Sequence, residues 1–169
     1  MINRFLEILQ VATAQIQQTY FQLPIAGQED PIYRERVYCY ELYHQIRPLL
    51  ERDRELSRYT LSGEIDKAGH KIIRPYVPDF VIHDPGRMDN LAIIEVKPIN
   101  GRLDGVRKDL ETLAYFVSEQ VAYKCGIHLI YGEDERALES FRQQFLAVGH
   151  KKLRLFSHRR SGEPATSIA

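Results

Sequence analysis

Charged side chains interrupt two apolar runs in the middle of the chain. The first run covers residues 78–82, PDFVI, and the second covers residues 91–97, LAIIEVK. Side chains on a strand alternate between its two faces, so Glu95 and Lys97 share one face while Ile94 and Val96 occupy the other. Strand interiors rarely hold charged groups this close together. The spacing therefore indicates that these groups have a chemical task.

A turn sequence separates the two runs. Residues 83–87, HDPGR, contain a proline suited to the second position of a turn and a glycine suited to positive φ, which predicts a β-hairpin. If the hairpin closes symmetrically about Arg87, Asp79 falls opposite Glu95 at a separation of about 5 Å, where like charges repel. A divalent cation between the two groups would turn this repulsion into ligation. Hard carboxylate oxygens suit Mg²⁺ or Mn²⁺.

Hydrophobic periodicity predicts the elements that would position these groups. Their order is helix–helix–β–β–β–helix–β–helix–β, which indicates an α/β fold with a mixed β-sheet flanked by α-helices. Pro48 is expected to end the second helix, because a residue that precedes proline disfavours helical geometry. The predicted helices cover residues 2–19, 32–47, 104–117 and 133–148, and the predicted strands cover residues 59–66, 71–82, 91–97, 125–131 and 153–156.

Local signals predict several helix ends. Asp104 suits the N-cap of the third long helix. Acidic residues open the last helix, where the helix dipole favours them, and Gly149 suits the position just after its C-terminus. The spacing of Leu138, Phe141, Phe145 and Val148 predicts the buried stripe of this helix.

The arrangement of these motifs resembles the PD-(D/E)XK nuclease superfamily, also called restriction-endonuclease-like. The matching residues are Pro78-Asp79 and, sixteen positions after the aspartate, Glu95-Val96-Lys97. Both motifs end predicted strands, and a helix and a buried strand follow them, which is the order of the superfamily's core. The resemblance covers residues 33–132. It implies a restriction-endonuclease-like core to which an N-terminal helix has been added.

The resemblance implies a metal-dependent nuclease that hydrolyses phosphodiester bonds, with DNA favoured over RNA as substrate. Asp79 and Glu95 would bind Mg²⁺ or Mn²⁺, and the main-chain carbonyl of Val96 would be a further ligand. Two roles for Lys97 remain open. It would either orient or deprotonate the attacking water, or stabilise the negative charge that develops on the phosphate.

Four further polar residues are candidates for supporting roles. Glu64, which shares a strand face with Asp66, is an expected catalytic acid, and Glu41 on the second helix is an alternative accessory acid. The resemblance also suggests that Lys108, one turn into the helix after the motif, either supports the site or touches the scissile phosphate. For each of these residues an ordinary solvent-exposed position is the competing interpretation.

Length and composition are typical of one globular domain. The chain has 169 residues, of which 44% are hydrophobic, and we expect a domain over residues 1–160. Within it, residues 1–28 would form a helical extension and residues 33–157 the core, followed by a flexible tail at 161–169. Cys39 and Cys125 lie far apart within apolar runs and are expected to be buried, reduced thiols. The sequence contains neither a membrane span nor a signal peptide, so a cytoplasmic location is expected.

The charge balance allows a second function. The 23 basic and 23 acidic residues give zero net charge, which does not favour non-specific coating of nucleic acid. Local basic clusters at residues 52–58 and 151–160 are either phosphate contacts or solvated faces. The alternative function is a catalytically inactive binding or assembly subunit of the same fold, acting through protein partners. A homodimer, or a partner that supplies specificity, is compatible with both functions.

Overall fold

The structure is a computed structural model that describes residues 1–63, 76–87 and 89–169. Its helices and strands alternate much as the periodicity predicts, with two additional short elements. The helices are α1 (Ile2–Ala14), α2 (Gln18–Phe21), α3 (Glu35–Arg52), α4 (Leu103–Val117) and α5 (Glu135–Val148). The strands are β1 (Thr60–Gly63), β2 (Phe80–Asp84), β3 (Asp89–Pro98), β4 (Cys125–Tyr131), β5 (Leu153–His158) and β6 (Thr166–Ser167).

The six strands form one mixed sheet in sequence order, β1-β2-β3-β4-β5-β6. Strands β1, β2 and β3 pair antiparallel, β3, β4 and β5 pair parallel, and β6 pairs antiparallel with β5. Each parallel connection contains a helix, as a crossover between parallel strands requires. The predicted mixed sheet with flanking helices is therefore confirmed.

Alternation along β3 divides the core between the two faces of the sheet. Ile94 and Val96 belong to the apolar cluster that includes α1 and α3, whereas Ile93 belongs to the cluster that includes α4 and α5. All residues of β4 are buried, as expected for a strand covered on both faces. Glu95 and Lys97 have the same parity as Ile93, so they lie on the α4 side.

Helix α3 continues past the predicted end at residue 47. It includes Pro48 and ends at Arg52, because Ile46 and Leu50 on either side of the proline are both buried against the core. An interior proline costs a helix about 3 kcal/mol or more. Tertiary packing of the apolar stripe outweighs that cost here.

The segment expected to be a flexible tail is instead joined to the sheet. Thr166 and Ser167 form β6, and Ala165 is fully buried. The backbone N–H of Ala165 donates to Thr13 Oγ1 at 2.9 Å. The strand predicted at 153–156 extends to His158 in the structure. Because β6 pairs with β5, β5 does not lie at the edge of the sheet.

Other predicted boundaries shift in smaller ways. Arg102, not Asp104, is the N-cap of α4, and Asp104 lies in its first turn. Asp134 caps α5 by accepting hydrogen bonds from two backbone N–H groups, and Gly149 ends it at φ 61° as predicted. Val148 is 38% exposed, which contradicts its predicted place on the buried stripe. The first predicted helix is divided into α1 and α2.

The structure also shows the environment of the two cysteines and the character of the helices. Cys39 and Cys125 are buried thiols that are not joined in a disulfide, as predicted. Among residues 1–63, 76–87 and 89–169, no helix combines the length and apolar character needed to cross a bilayer.

Candidate functional site

The register of the β2–β3 hairpin brings the two predicted carboxylates together. Phe80 lies opposite Ile94 and Val81 opposite Ile93, so one further step places Asp79 opposite Glu95, as the symmetric hairpin predicts. Asp79 Oδ2 accepts a 2.7 Å hydrogen bond from the backbone N–H of Val96. Near the turn, a bulge shifts the register between Ile82 and His83. The bulge lies at the far end of the hairpin and leaves the carboxylates aligned.

Burial makes both carboxylates costly to ionise. Burial raises the pKa of Asp79 to about 6, although the hydrogen bond from Val96 opposes the rise. Burial also raises the pKa of Glu95 well above its usual value, and the neighbouring carboxylates of Asp79 and Asp109 add to the effect. Glu95 is 5% exposed. Both groups therefore bind a proton more readily than an exposed carboxylate does.

Lys97 pairs with two acids that the motif does not include. Its Nζ atom lies 3.0 Å from Glu35 Oε2 and 3.1 Å from Asp109 Oδ2, and 15% of its side chain is exposed. Burial alone would lower the pKa of Lys97, but the two carboxylates outweigh burial and raise it. Lys97 is therefore a positively charged ammonium group at neutral pH.

Gly101 makes room for the Lys97 side chain beside the start of α4. A Cβ atom at Gly101 would lie 2.9 Å from the Lys97 Cγ and Cδ atoms and from the Pro98 carbonyl oxygen. A Cβ atom at Gly105 would stand 3.8 Å from Lys97 Cε and Nζ, within ordinary contact distance. Gly101 is consequently required for the observed path of the lysine stem.

Three residues at the site were not predicted from the sequence: Glu35, Asp109 and His128. Asp109 is buried on α4, and its Oδ2 atom lies 3.6 Å from Nε2 of the fully buried His128. A signal for Asp109 was present, since it lies on the same helical face as the buried Val106 and Leu113. A charge within an apolar stripe indicates a buried partner. Glu35, in the first turn of α3, carried no comparable signal.

Two of the four accessory candidates, Glu41 and Lys108, lie in the part of the chain that the structure describes. Glu41 accepts a 2.6 Å hydrogen bond from Gln45 on its own helix. Lys108 is exposed on α4, next to the buried Asp109 that occupies the position facing the site. Glu64 and Asp66 lie outside the described residues. Their predicted roles therefore stay predictions.

A cleft of about 320 Å³ opens beside the hairpin, lined by Cys39, Tyr40, Tyr43, Gly63, Asp79 and Phe80. A larger groove of about 660 Å³ lies between α1 and the end of α3 and is lined by none of the predicted site residues. The smaller cleft includes Asp79 in its lining, but neither Glu95 nor Lys97.

No protein-family model and no curated protein matches this chain. The chemistry of the site is therefore the basis for inferring its function.

The donors at the site suit one class of metal ion. Within the part of the chain that the structure describes, no group of three or more His, Cys, Asp or Glu side chains is arranged to hold a metal. Mg²⁺ differs from metals that need such a cage, because it keeps several waters and uses one or two carboxylates. Asp79 and Glu95 are two neighbouring carboxyl groups of this kind, and burial raises the pKa of both.

Proposed function

We propose that this protein is a metal-dependent nuclease of the PD-(D/E)XK type that hydrolyses phosphodiester bonds, in DNA more readily than in RNA. The observation that carries the proposal is the alignment of Asp79 with Glu95, two carboxyl groups whose pKa values are both raised by burial. Buried like charges are costly unless a cation joins them. Groups with this energetic cost occur more often at functional sites than at sites that only stabilise the fold.

Asp79, Glu95 and the main-chain carbonyl of Val96 would hold Mg²⁺ or Mn²⁺. When bound, the metal supplies charge neutralisation at the phosphate and a water of lowered pKa. The protein contributes the position of the ligands. The hydrogen bond from the Val96 N–H holds Asp79 Oδ2 in place, which leaves Oδ1 as the oxygen that would face the cation.

Lys97 acts in this proposal as a charge stabiliser. Its ammonium group is kept protonated by Glu35 and Asp109, so it has no lone pair with which to take a proton from water. A fixed positive charge on the carboxylate side of β3 would instead stabilise the oxyanion that develops during hydrolysis. The raised pKa of Lys97 favours this role over that of a base.

A catalytically inactive binding or assembly subunit is the second candidate. The observation that favours it is that the Lys97 ammonium already has two acidic partners, while Glu95 is almost completely covered. A lysine that is paired in this way and a glutamate that is covered in this way need no metal. A homodimer or a protein partner would then carry the function through another surface.

Cleavage assays separate the two candidates. Supercoiled plasmid, linear duplex, single-stranded DNA and RNA are incubated with Mg²⁺ or Mn²⁺ and with wild type, Glu95→Gln, Asp79→Asn or Lys97→Met. The matched control is Glu111→Gln, which neutralises an exposed glutamate on α4. The nuclease proposal expects metal-dependent cutting that the three site variants reduce at least about a hundredfold and the control retains.

Calorimetry with Mn²⁺ gives an independent readout of the metal site. We expect wild type and Glu111→Gln to bind the ion and Glu95→Gln to lose binding. If no substrate is cut and wild type binds no Mn²⁺, the nuclease proposal fails and the assembly subunit becomes the better description.

A further inference from the structure

One flank of α3 carries two tyrosines between two arginines, beside the cleft that includes Asp79. Arg36, Tyr40, Tyr43 and Arg47 follow one another at intervals of four, three and four residues, which places them on one face of a helix. We call these four residues the α3 stripe. Glu41 and Gln45 pair with each other on a different face, so this acid does not interrupt the stripe.

The aromatic members of the stripe are accessible and line clefts. Tyr40 is 64% exposed, which is unusual for a large aromatic side chain. Tyr43 is held in place by Phe80, with ring centroids 6.5 Å apart. Both tyrosines line the cleft that reaches Asp79. Tyr43 also lines a second cleft of about 220 Å³ together with His44, Arg47 and Pro48.

The cationic members bracket the tyrosines. Arg36 is exposed one turn before Tyr40. Arg47 is exposed one turn after Tyr43, where its Nε atom contacts Glu51 Oε1 at 3.2 Å. An exposed ion pair of this kind contributes little to stability and is readily exchanged for another anion. Positive charge at both ends and aromatic rings between them complement a chain of phosphates that carries flat bases.

We propose that the α3 stripe binds single-stranded nucleic acid and guides it toward Asp79, an inference that rests on the proposed nuclease function only for the cleavage step after binding. Bases of a single strand stack on Tyr40 and enter the two clefts that share Tyr43, while Arg36 and Arg47 contact phosphates. Bases in a duplex are already stacked and paired and do not reach these clefts. Aromatic stacking combined with backbone contacts is the common mode of single-strand binding.

Gly63 offers a way to close the cleft without straining the backbone. A Cβ atom at this position would meet the Asp79 carbonyl oxygen and the Phe80 ring at 3.5 Å, an ordinary contact distance. Larger side chains there would extend into the cleft lined by Tyr40 and Tyr43. Gly63→Val therefore tests the cleft independently of the tyrosines.

The test is a binding measurement on the full chain in EDTA, where no metal-dependent cleavage occurs. Fluorescence anisotropy follows labelled oligo-dT, oligo-rU and a blunt DNA duplex of about the same length. We expect Tyr40→Ala and Gly63→Val to weaken single-strand binding about five- to a hundredfold, the range for loss of one stacked base. Tyr40→Phe, which keeps the ring, should bind as wild type does.

Matched controls are available elsewhere on the surface. Tyr20→Ala removes another exposed tyrosine, 41% accessible on α2, and should leave binding unchanged. Arg47→Gln should reduce the slope of log affinity against log salt by about 0.7, the value for one phosphate of a single strand. Arg142→Gln, which opens a similar exposed pair with Glu139 on α5, should leave the slope unchanged.

The outcomes for the stripe and for the nuclease are distinguishable. Single-strand binding that depends on Tyr40 and Gly63 supports the stripe even if no cleavage is ever seen, and the two oligonucleotides show whether DNA or RNA is the better ligand. Binding that is absent, that favours the duplex, or that responds equally to Tyr20→Ala overturns the stripe. Metal-dependent cleavage in that case would leave the nuclease proposal intact.

Discussion

Asp79 Oδ2 accepts a 2.7 Å hydrogen bond from the backbone N–H of Val96, the residue between Glu95 and Lys97. The first carboxylate of the proposed site is thus tied to the main chain of the strand that carries the other two groups. Because a strand backbone moves less than a side chain, this bond restrains the Asp79 carboxylate relative to the strand that carries Glu95. It also explains why the pKa of Asp79 rises only to about 6 despite its burial.

Neutralising Glu95 is expected to stabilise the fold while removing the proposed activity. The ionised form of Glu95 is opposed by burial and by two neighbouring carboxylates, whereas the amide of Glu95→Gln has similar shape and no charge. We expect the free energy of unfolding in EDTA at pH 8 to increase by roughly 1–2 kcal/mol, the usual size of a stabilising substitution. Urea denaturation measures the change.

Glu111→Gln serves as the control for that measurement, because the exposed Glu111 should change stability by less than about 0.5 kcal/mol. A clear loss of stability in Glu95→Gln would mean that the carboxylate is a structural ion-pair partner. That result would argue for the assembly subunit.

Removing Asp109 is expected to take away one of the two ion pairs of the Lys97 ammonium group. Asp109→Asn leaves the Lys97 ammonium with Glu35 as its remaining acidic partner at hydrogen-bonding distance, so the pKa of Lys97 falls. We expect a loss of about 1–3 kcal/mol in the free energy of unfolding at pH 7. A double-mutant cycle with Lys97→Met should show a coupling of about 0.5–3 kcal/mol. Additive effects of the two substitutions would contradict a direct Asp109–Lys97 interaction.

His158 is expected to lower stability in mild acid. Its Nδ1 atom lies 2.7 Å from the Tyr38 hydroxyl in the buried aromatic cluster, and burial lowers its pKa from 6.5 to about 4. Between these values the unfolded chain binds a proton that the folded chain does not, so stability is greatest above pH 6.5 and decreases as pH falls toward 4. The decrease due to this group should total about 3 kcal/mol.

The difference between wild type and His158→Gln isolates this effect. Urea midpoints are measured from pH 4 to pH 7, and the variant should lose the part of the slope that His158 contributes. Asp79 works in the opposite direction over part of this range, because its folded pKa is raised, and it cancels in the comparison. His44→Gln, at an exposed position, should keep the wild-type slope.

The C-terminal segment is expected to contribute to stability. Deleting residues 162–169 removes β6, exposes the packing site of the fully buried Ala165, and leaves the buried Thr13 hydroxyl without the Ala165 N–H. We expect a loss of about 2–4 kcal/mol, the cost of a buried side chain and a broken hydrogen bond together. Thermal unfolding of the truncated chain measures it. Glu163→Ala, an exposed change in the same segment, is the control, and equal stability of both would show that the segment is dispensable.

Local patterns in the sequence were sufficient to place the two carboxylates. Strand alternation assigned Glu95 and Lys97 to one face, and the predicted hairpin symmetry about Arg87 agrees with the pairing of Phe80 with Ile94. Helical periodicity likewise predicted a helix over residues 2–19, within which α1 lies. These features depend on residues close together in the chain, whose relations follow from regular backbone geometry.

Relations between distant segments required the folded chain. The acid that reaches Lys97 from α3 is Glu35, which no pattern in the sequence indicated, because the rotation of a helix about its axis is set by how its stripe packs. Asp109 is a second example, since it lies on α4 and its partner Lys97 lies on β3. The same packing energy carries α3 through Pro48 and draws the last residues onto β5. Such energies are sums over many long-range contacts, which no local pattern contains.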